Sequence, residues 1–80
     1  MPLFFKLCLV KLLSILGRNI RKHRKNLGWT QEKLAEHSSI DPKYCGQLER
    51  GEVNVSIITL ARIAKALNEP MVVLFEDIDI

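Results

Sequence analysis

GWTQEKLAEHSSIDPKYCGQLERG, from Gly28 to Gly51, is the stretch on which the fold turns. Its apolar positions and turn residues divide it into two short helices. Thr30 stands where a helix N-cap belongs, although Lys33 occupies the place where a capping box would carry Glu or Gln. The first helix then runs from about Gln31 to His37, with Leu34 and Ala35 pointing inward. Ser38-Ser39-Ile40 makes a tight turn, and Ile40 plugs the angle between the two helices. Asp41 caps the second helix, and Pro42 takes its first position, where a missing N–H is no loss and a fixed φ suits a helix start. This second helix extends to about Arg50.

Upstream, a helix reaches from near Leu13 or earlier to Asn26, with Leu16, Ile20 and Leu27 inward, Arg21, Lys22 and Lys25 outward, and Gly28 as its stop. Trp29 reads as an aromatic at the core edge; stacking on a nucleobase, as in single-strand binders, is its alternative. Downstream, Ser56 caps a helix whose Leu60, Ile63, Ala64 and Leu67 form an apolar stripe closed by Asn68. Pro70 opens a short last helix through Phe75. The expectation is an all-α domain of five helices without a strand.

Residues 1–16, MPLFFKLCLVKLLSIL, are more apolar than the rest. Lys6 and Lys11 interrupt the run, no small-residue cleavage site follows, and about 20 uninterrupted apolar residues would be needed to span a bilayer. Neither an anchor nor a signal peptide is expected. Leu9, Leu13, Leu16 and Ile20 recur at helical spacing and could extend the first helix backwards, whereas Phe5, Leu7 and Leu9 alternate as in a strand. The division expected is an apolar extension over 1–13 and one folded domain over 14–80. The extension packs on the domain or on a second copy, or has no specific role.

With 80 residues, 48% hydrophobic and 26% charged, the chain suits one compact domain. A core this small is marginal alone, so an oligomer is expected. The net charge of +3 hides a gradient: residues 1–50 hold ten Lys/Arg against four Asp/Glu, and 51–80 hold two against five. A basic front half suits a polyanion, although on charge alone a solvated face reads as well. Cys8 and Cys45 lie far apart without a C-x-x-C, so no disulfide framework is implied and both read as small core residues in a reducing cytoplasm. With His23 and His37 they match no metal-ligand spacing. No metal, cofactor, small-molecule substrate or enzyme activity is expected, since 80 residues offer little wall for a substrate cleft.

Two short helices joined by a tight turn form the geometry in which the second helix enters a DNA major groove. At 100° per residue, Lys43, Gln47 and Arg50 fall within about 60° of one another, while Cys45 and Leu48 project to the opposite side. Gln can pair bidentately with adenine and Lys can donate to guanine, so Gln47 and Lys43 are the expected base readers. Tyr44 lies on the flank, set either to reach a phosphate or to pack on the domain. Gly46 costs about 1 kcal/mol of helix propensity, to be explained by close approach of DNA or by simple neutrality. Phosphate contacts are expected from Thr30 and Gln31 at one helix start, from Arg50, and from Asn54 and Ser56 at another.

The ordered elements I-R-K-H-R-K-N-L-G-W-T-Q-E-K-L-A, then L-E-R-G, N-V-S and L-A-R-I-A-K-A-L resemble the Cro/repressor-like helix-turn-helix family, also called the Xre family, over Leu16 to Phe75. The resemblance implies that Gln31 contacts phosphate, that Lys43, Tyr44 and Gln47 face bases, and that Glu49 pairs internally with Arg24. D-P-K-Y-C-G-Q-L-E-R-G-E-V-N-V-S is most similar to the controller proteins of restriction-modification systems, with Cys45 where a branched aliphatic is usual and Gly46 where Ser is common. That likeness implies a homodimer on a palindromic operator in double-stranded DNA. Dimers of the family join through the last helix, which makes Met71, Val72, Leu74 and Phe75, with Ile78 and Ile80, interface candidates; filling the monomer core is their alternative. The competing functions are an antitoxin-like protein-interaction module and, in a third class, an enzyme with a Cys45 nucleophile.

Overall fold

The computed structural model describes residues 2–79, and among them four α-helices and a 3₁₀ helix carry the chain: α1 (Leu3–Asn26), α2 (Gln31–Ser38), α3 (Pro42–Glu49), α4 (Ile57–Ala66) and the 3₁₀ helix Met71–Phe75. No strand occurs among the described residues. The boundaries follow local chemistry. Thr30 Oγ1 accepts from the Lys33 N–H at 3.1 Å, so the cap works without a capping box. Asp41 Oδ1 accepts from the Lys43 N–H at 2.7 Å ahead of Pro42, and Ser56 Oγ accepts from the Thr59 N–H at 3.0 Å. Gly28, at φ +72°, ends α1: its N–H reaches the Lys25 carbonyl at 2.9 Å and the Trp29 N–H reaches that of Arg24 at 3.2 Å. Ser39, at φ 58°, makes the turn between α2 and α3.

The expected fifth helix is a 3₁₀ turn rather than an α-helix. Only five residues separate Pro70 from Glu76, too few to repay the nucleation of an α-helix, and tertiary packing holds the turn instead. Asn19, buried on α1, donates from Nδ2 to the carbonyls of Leu74 at 3.0 Å and Glu76 at 2.7 Å. That side chain fastens the 3₁₀ helix to α1.

Leu16, Ile20, Leu34, Ala35, Cys45, Leu48, Leu60, Ile63, Ala64, Leu67 and Leu74 form one core. Trp29 and Ile40 pack against its edge, as their positions suggested. Leu27 does not enter it: 47% of its surface is exposed. It is the residue that caps α1, and the chain reverses at Gly28 before α2 can cover it. Leu74 has no exposed surface, so it fills the monomer core and cannot serve as a dimer contact; Val72, 71% exposed, points away. Ile80 lies outside the described residues.

The N-terminal segment is helical from Leu3 and continues into α1 without a break, which decides between the helix and strand readings. It does not fold back on the domain. Leu3, Phe4, Phe5, Leu7 and Val10 remain exposed, and the molecule's long dimension of 37 Å is close to the ~36 Å expected for a 24-residue helix.

Candidate nucleic-acid interface

The inner side of α3 is anchored first. Cys45 is fully buried and Leu48 nearly so. Between them and α1 lies an ion pair: Arg24 Nε and Nη2 donate to the two carboxylate oxygens of Glu49 at 2.7 and 2.9 Å, and Arg24 Nη1 donates to the Trp29 carbonyl at 2.7 Å. Both side chains are buried, so the pair is bidentate and shielded from water. The hydrogen bond to Glu49 holds the Arg24 pKa above its ordinary value despite burial. Gln31 Nε2 adds a third donor to Glu49 at 3.1 Å. One carboxylate thereby ties α1, the start of α2 and the end of α3 into a fixed relation, as the family resemblance implied for Arg24 and Glu49.

Two glycines allow the close packing. A Cβ at Gly17 would overlap the Leu48 carbonyl oxygen and lie 2.7 Å from that of Glu49, so α1 rests directly on the backbone at the end of α3. Gly51, at φ +72°, would bring a Cβ to 3.0 Å from the Ser14 backbone. Neither position had been singled out from the sequence. A lone small residue inside an otherwise bulky buried stripe was the available signal for Gly17.

The outer side of α3 is different. Lys43 is exposed and Gln47 half-buried, one helical turn apart, and neither side chain makes a hydrogen bond or ion pair among the described residues. Arg50, expected beside them, instead folds onto Glu52, donating from Nε at 2.8 Å and from Nη2 at 3.2 Å. That contact holds the Glu52 carboxyl below its ordinary pKa. Tyr44 takes its packing alternative: half-buried against the core, its hydroxyl donates to the Asn54 carbonyl at 3.2 Å and pins the loop after α3. The crowding at Gly46 comes from the chain itself, since a Cβ there would lie 3.2 Å from Arg50 Nη1 and 3.3 Å from Gln31 Oε1. Gly46 makes room for the Gln31 amide to lie over α3.

The residues expected to meet phosphate have distinct states. Gln31 is held by Glu49 through one amide hydrogen, leaving the other free at the positive end of α2. The Thr30 oxygen caps α2 and keeps its proton to donate. Ser56 Oγ accepts from the Thr59 N–H and lies 3.0 Å from Thr59 Oγ1, so its hydroxyl is engaged at the start of α4. Asn54 is exposed.

No cluster of His, Cys, Asp and Glu able to hold a metal ion occurs among the described residues. Cys45 is unsuited to nucleophilic attack: it is fully buried, and burial pushes its thiol up to about 11, with the Glu49 charge acting in the same direction. A nucleophile needs the thiolate and access to it.

The HTH_3 helix-turn-helix family matches residues 20–74. Control protein C.SmaI of Serratia marcescens is 42% identical over 62 residues, a match spanning 78% of this chain and 74% of that one. Among solved structures, the restriction-modification controller protein C.AhdI from Aeromonas hydrophila superposes with a TM-score of 0.78 at 38% identity, over 79% of this chain and 96% of its own. The restriction-modification controller protein C.Esp1396I gives a TM-score of 0.75 at 42% identity, over 81% and 84% of the two chains. With the fold, the turn and the two short helices all within the matched span, the chain belongs to the HTH_3 (Xre-like) helix-turn-helix family.

Proposed function

We propose that this protein is a sequence-specific transcriptional regulator that reads double-stranded DNA with α3 in the major groove. The observation that carries the reading is the contrast between the two sides of α3: Cys45, Leu48 and Glu49 lock one side to the domain, and Lys43 and Gln47 stand uncommitted on the other. A reader helix needs both, because base discrimination requires donors held in register by a rigid support. Gln31, fixed by Glu49, and the N-terminal N–H groups of α2 supply phosphate contacts that set the register without reading sequence. Thr30, Asn54 and, once released from Glu52, Arg50 extend that clamp.

The chain acts as a homodimer on a palindromic operator, with two copies of α3 about 34 Å apart on one face of the duplex. Val72, with the half-buried Met71 and Phe75, contributes to the interface. Likeness to C.SmaI and C.AhdI supports a role as a restriction-modification controller. It works in the cytoplasm, without an enzymatic activity or cofactor of its own. The exposed apolar start of α1 favours a second reading, an antitoxin-like module in which protein binding comes first.

Selection from a random duplex pool at two salt concentrations tests the first reading. A palindromic consensus is expected, with affinity falling steeply as salt rises. No enrichment over random duplex would reject it in favour of the protein-interaction module.

A further inference from the structure

Between Leu3 and Val10, α1 carries six large apolar side chains that are 41% to 71% exposed: Leu3, Phe4, Phe5, Leu7, Leu9 and Val10. This stalk precedes the family match, which begins at residue 20. Phe5 and Leu9 prolong the stripe on which Leu16 and Ile20 enter the core, while Leu3, Phe4, Leu7 and Val10 lie around the rest of the circumference. Lys6 within it and Lys11 just beyond it fall about 140° apart, so the two do not build one charged face. A helix that is apolar all round is one that becomes buried. A helix lying in a lipid surface needs a charged face, and none of the described helices is long and apolar enough to cross a membrane. Protein is the cover that suits it.

At the root of the stalk, Leu9, Leu12 and Leu13 face Val55, Ile57 and Phe75 across an apolar cleft of about 290 Å³. Ile57 and Ile58, at the leading edge of α4, are 66% and 65% exposed. A projecting apolar stalk beside a receding apolar cleft on one chain is the arrangement a two-fold pairing uses, because each copy then offers both halves of the contact. Phe5, Leu9, Ile57 and Ile58 are 41% to 66% exposed, so a pairing that brings these surfaces together withdraws four large apolar side chains per copy from water. Phe75, proposed above as part of the dimer interface, lines the cleft and would make the two surfaces continuous.

We propose that the stalk is a docking surface for a second copy of this chain, the two α1 helices crossing so that Phe5 of each copy enters the other's cleft between Leu9 and Ile57. The assignment rests on the dimer reading above and gives that dimer its principal contact.

Sedimentation equilibrium of the full chain tests it, comparing wild type with Phe5→Glu/Leu9→Glu, Ile57→Glu and Val72→Glu. The stalk pair and Ile57→Glu are each expected to weaken dimerisation at least a hundredfold, Val72→Glu at most tenfold, with thermal melting of dilute samples showing that the variants fold. Should a charge at position 9 melt the chain, Phe5→Glu alone, on a side chain 58% exposed, is expected to weaken it likewise. Stalk variants that stay dimeric while Val72→Glu dissociates would overturn the stalk assignment and leave the dimer standing. A wild-type chain that is monomeric yet binds a palindrome would overturn both. Flotation of wild type with phosphatidylglycerol vesicles, abolished by Phe5→Glu/Leu9→Glu, would transfer the surface to lipid and overturn the proposal.

Discussion

From Ile15 to Arg24, α1 is covered by α3 and the 3₁₀ helix, whereas from Leu3 to Val10 the same unbroken helix carries large apolar side chains that stay 41% to 71% exposed. Hydropathy would rank the outer half as the core. What distinguishes the inner half is its mixture: Gly17 for close approach to α3, Asn19 to hold the 3₁₀ helix, and Arg24 to hold Glu49, set among Leu16 and Ile20. Polar side chains with matched partners and a missing Cβ specify where a helix docks. An apolar surface without them specifies only that something must cover it.

The contrast can be broken hardest at Glu49. Glu49→Ala leaves the Arg24 guanidinium buried without its carboxylate and is expected to cost about 3 to 5 kcal/mol, read by urea unfolding. A loss under about 1 kcal/mol would mean that the pair is dispensable to the inner half. Next comes a matched pair of truncations on the one helix. Leu16→Ala is expected to destabilise by about 2 to 5 kcal/mol. Leu7→Ala, 60% exposed in the native residue, is expected to stay within about 0.5 kcal/mol when chains are dilute enough to be monomers. Equal effects would show that the stalk is integral to the monomer fold.

Cys45 sharpens the comparison on the inner side. Its thiol pKa is raised from 9.0 to about 11, so the unfolded chain ionises first as pH rises. The associated stability is fully present below about pH 9 and declines through about pH 11, at roughly 1.4 kcal/mol per pH unit. Cys45→Ala should remove that part of the alkaline decline, whatever its effect at neutral pH. Identical alkaline slopes in the two proteins would contradict a buried, neutral thiol. A smaller loss than at Glu49 or Leu16 is expected at a helix cap: Thr30→Ala should cost about 1 kcal/mol through loss of the contact to the Lys33 N–H.

Local chemistry made most of the fold legible. Thr30, Asp41 and Ser56 announced helix starts, Gly28 a stop, and the α4 stripe its buried face, because caps and periodicity act within a few residues. What escaped depends on neighbours distant in the chain. The roles of Gly17 and Gly46 are set by carbonyls and side chains of other segments, and Asn19 is satisfied 55 and 57 residues away. Leu27 was misplaced because a helical wheel continues past the point where the chain turns. Glu49 and Arg24, 25 residues apart, were paired by family resemblance; periodicity alone offers no such link. At the candidate site, the exposed side of α3 follows from helical geometry, while the capture of Arg50 by Glu52 and of Tyr44 by the Asn54 carbonyl required the folded loop.

In the proposed function, α3 reads bases through Gln47 from a support fixed by Arg24 and Glu49. Measuring the affinities of Gln47→Ala and Gln31→Ala for a selected operator and for every single-base variant of it tests this most directly. Gln47→Ala should relax discrimination by about 1 to 3 kcal/mol at one base pair of each half-site, and Gln31→Ala should weaken all sequences alike. Unchanged base preference in Gln47→Ala, with affinity intact, would mean that Gln47 does not read bases.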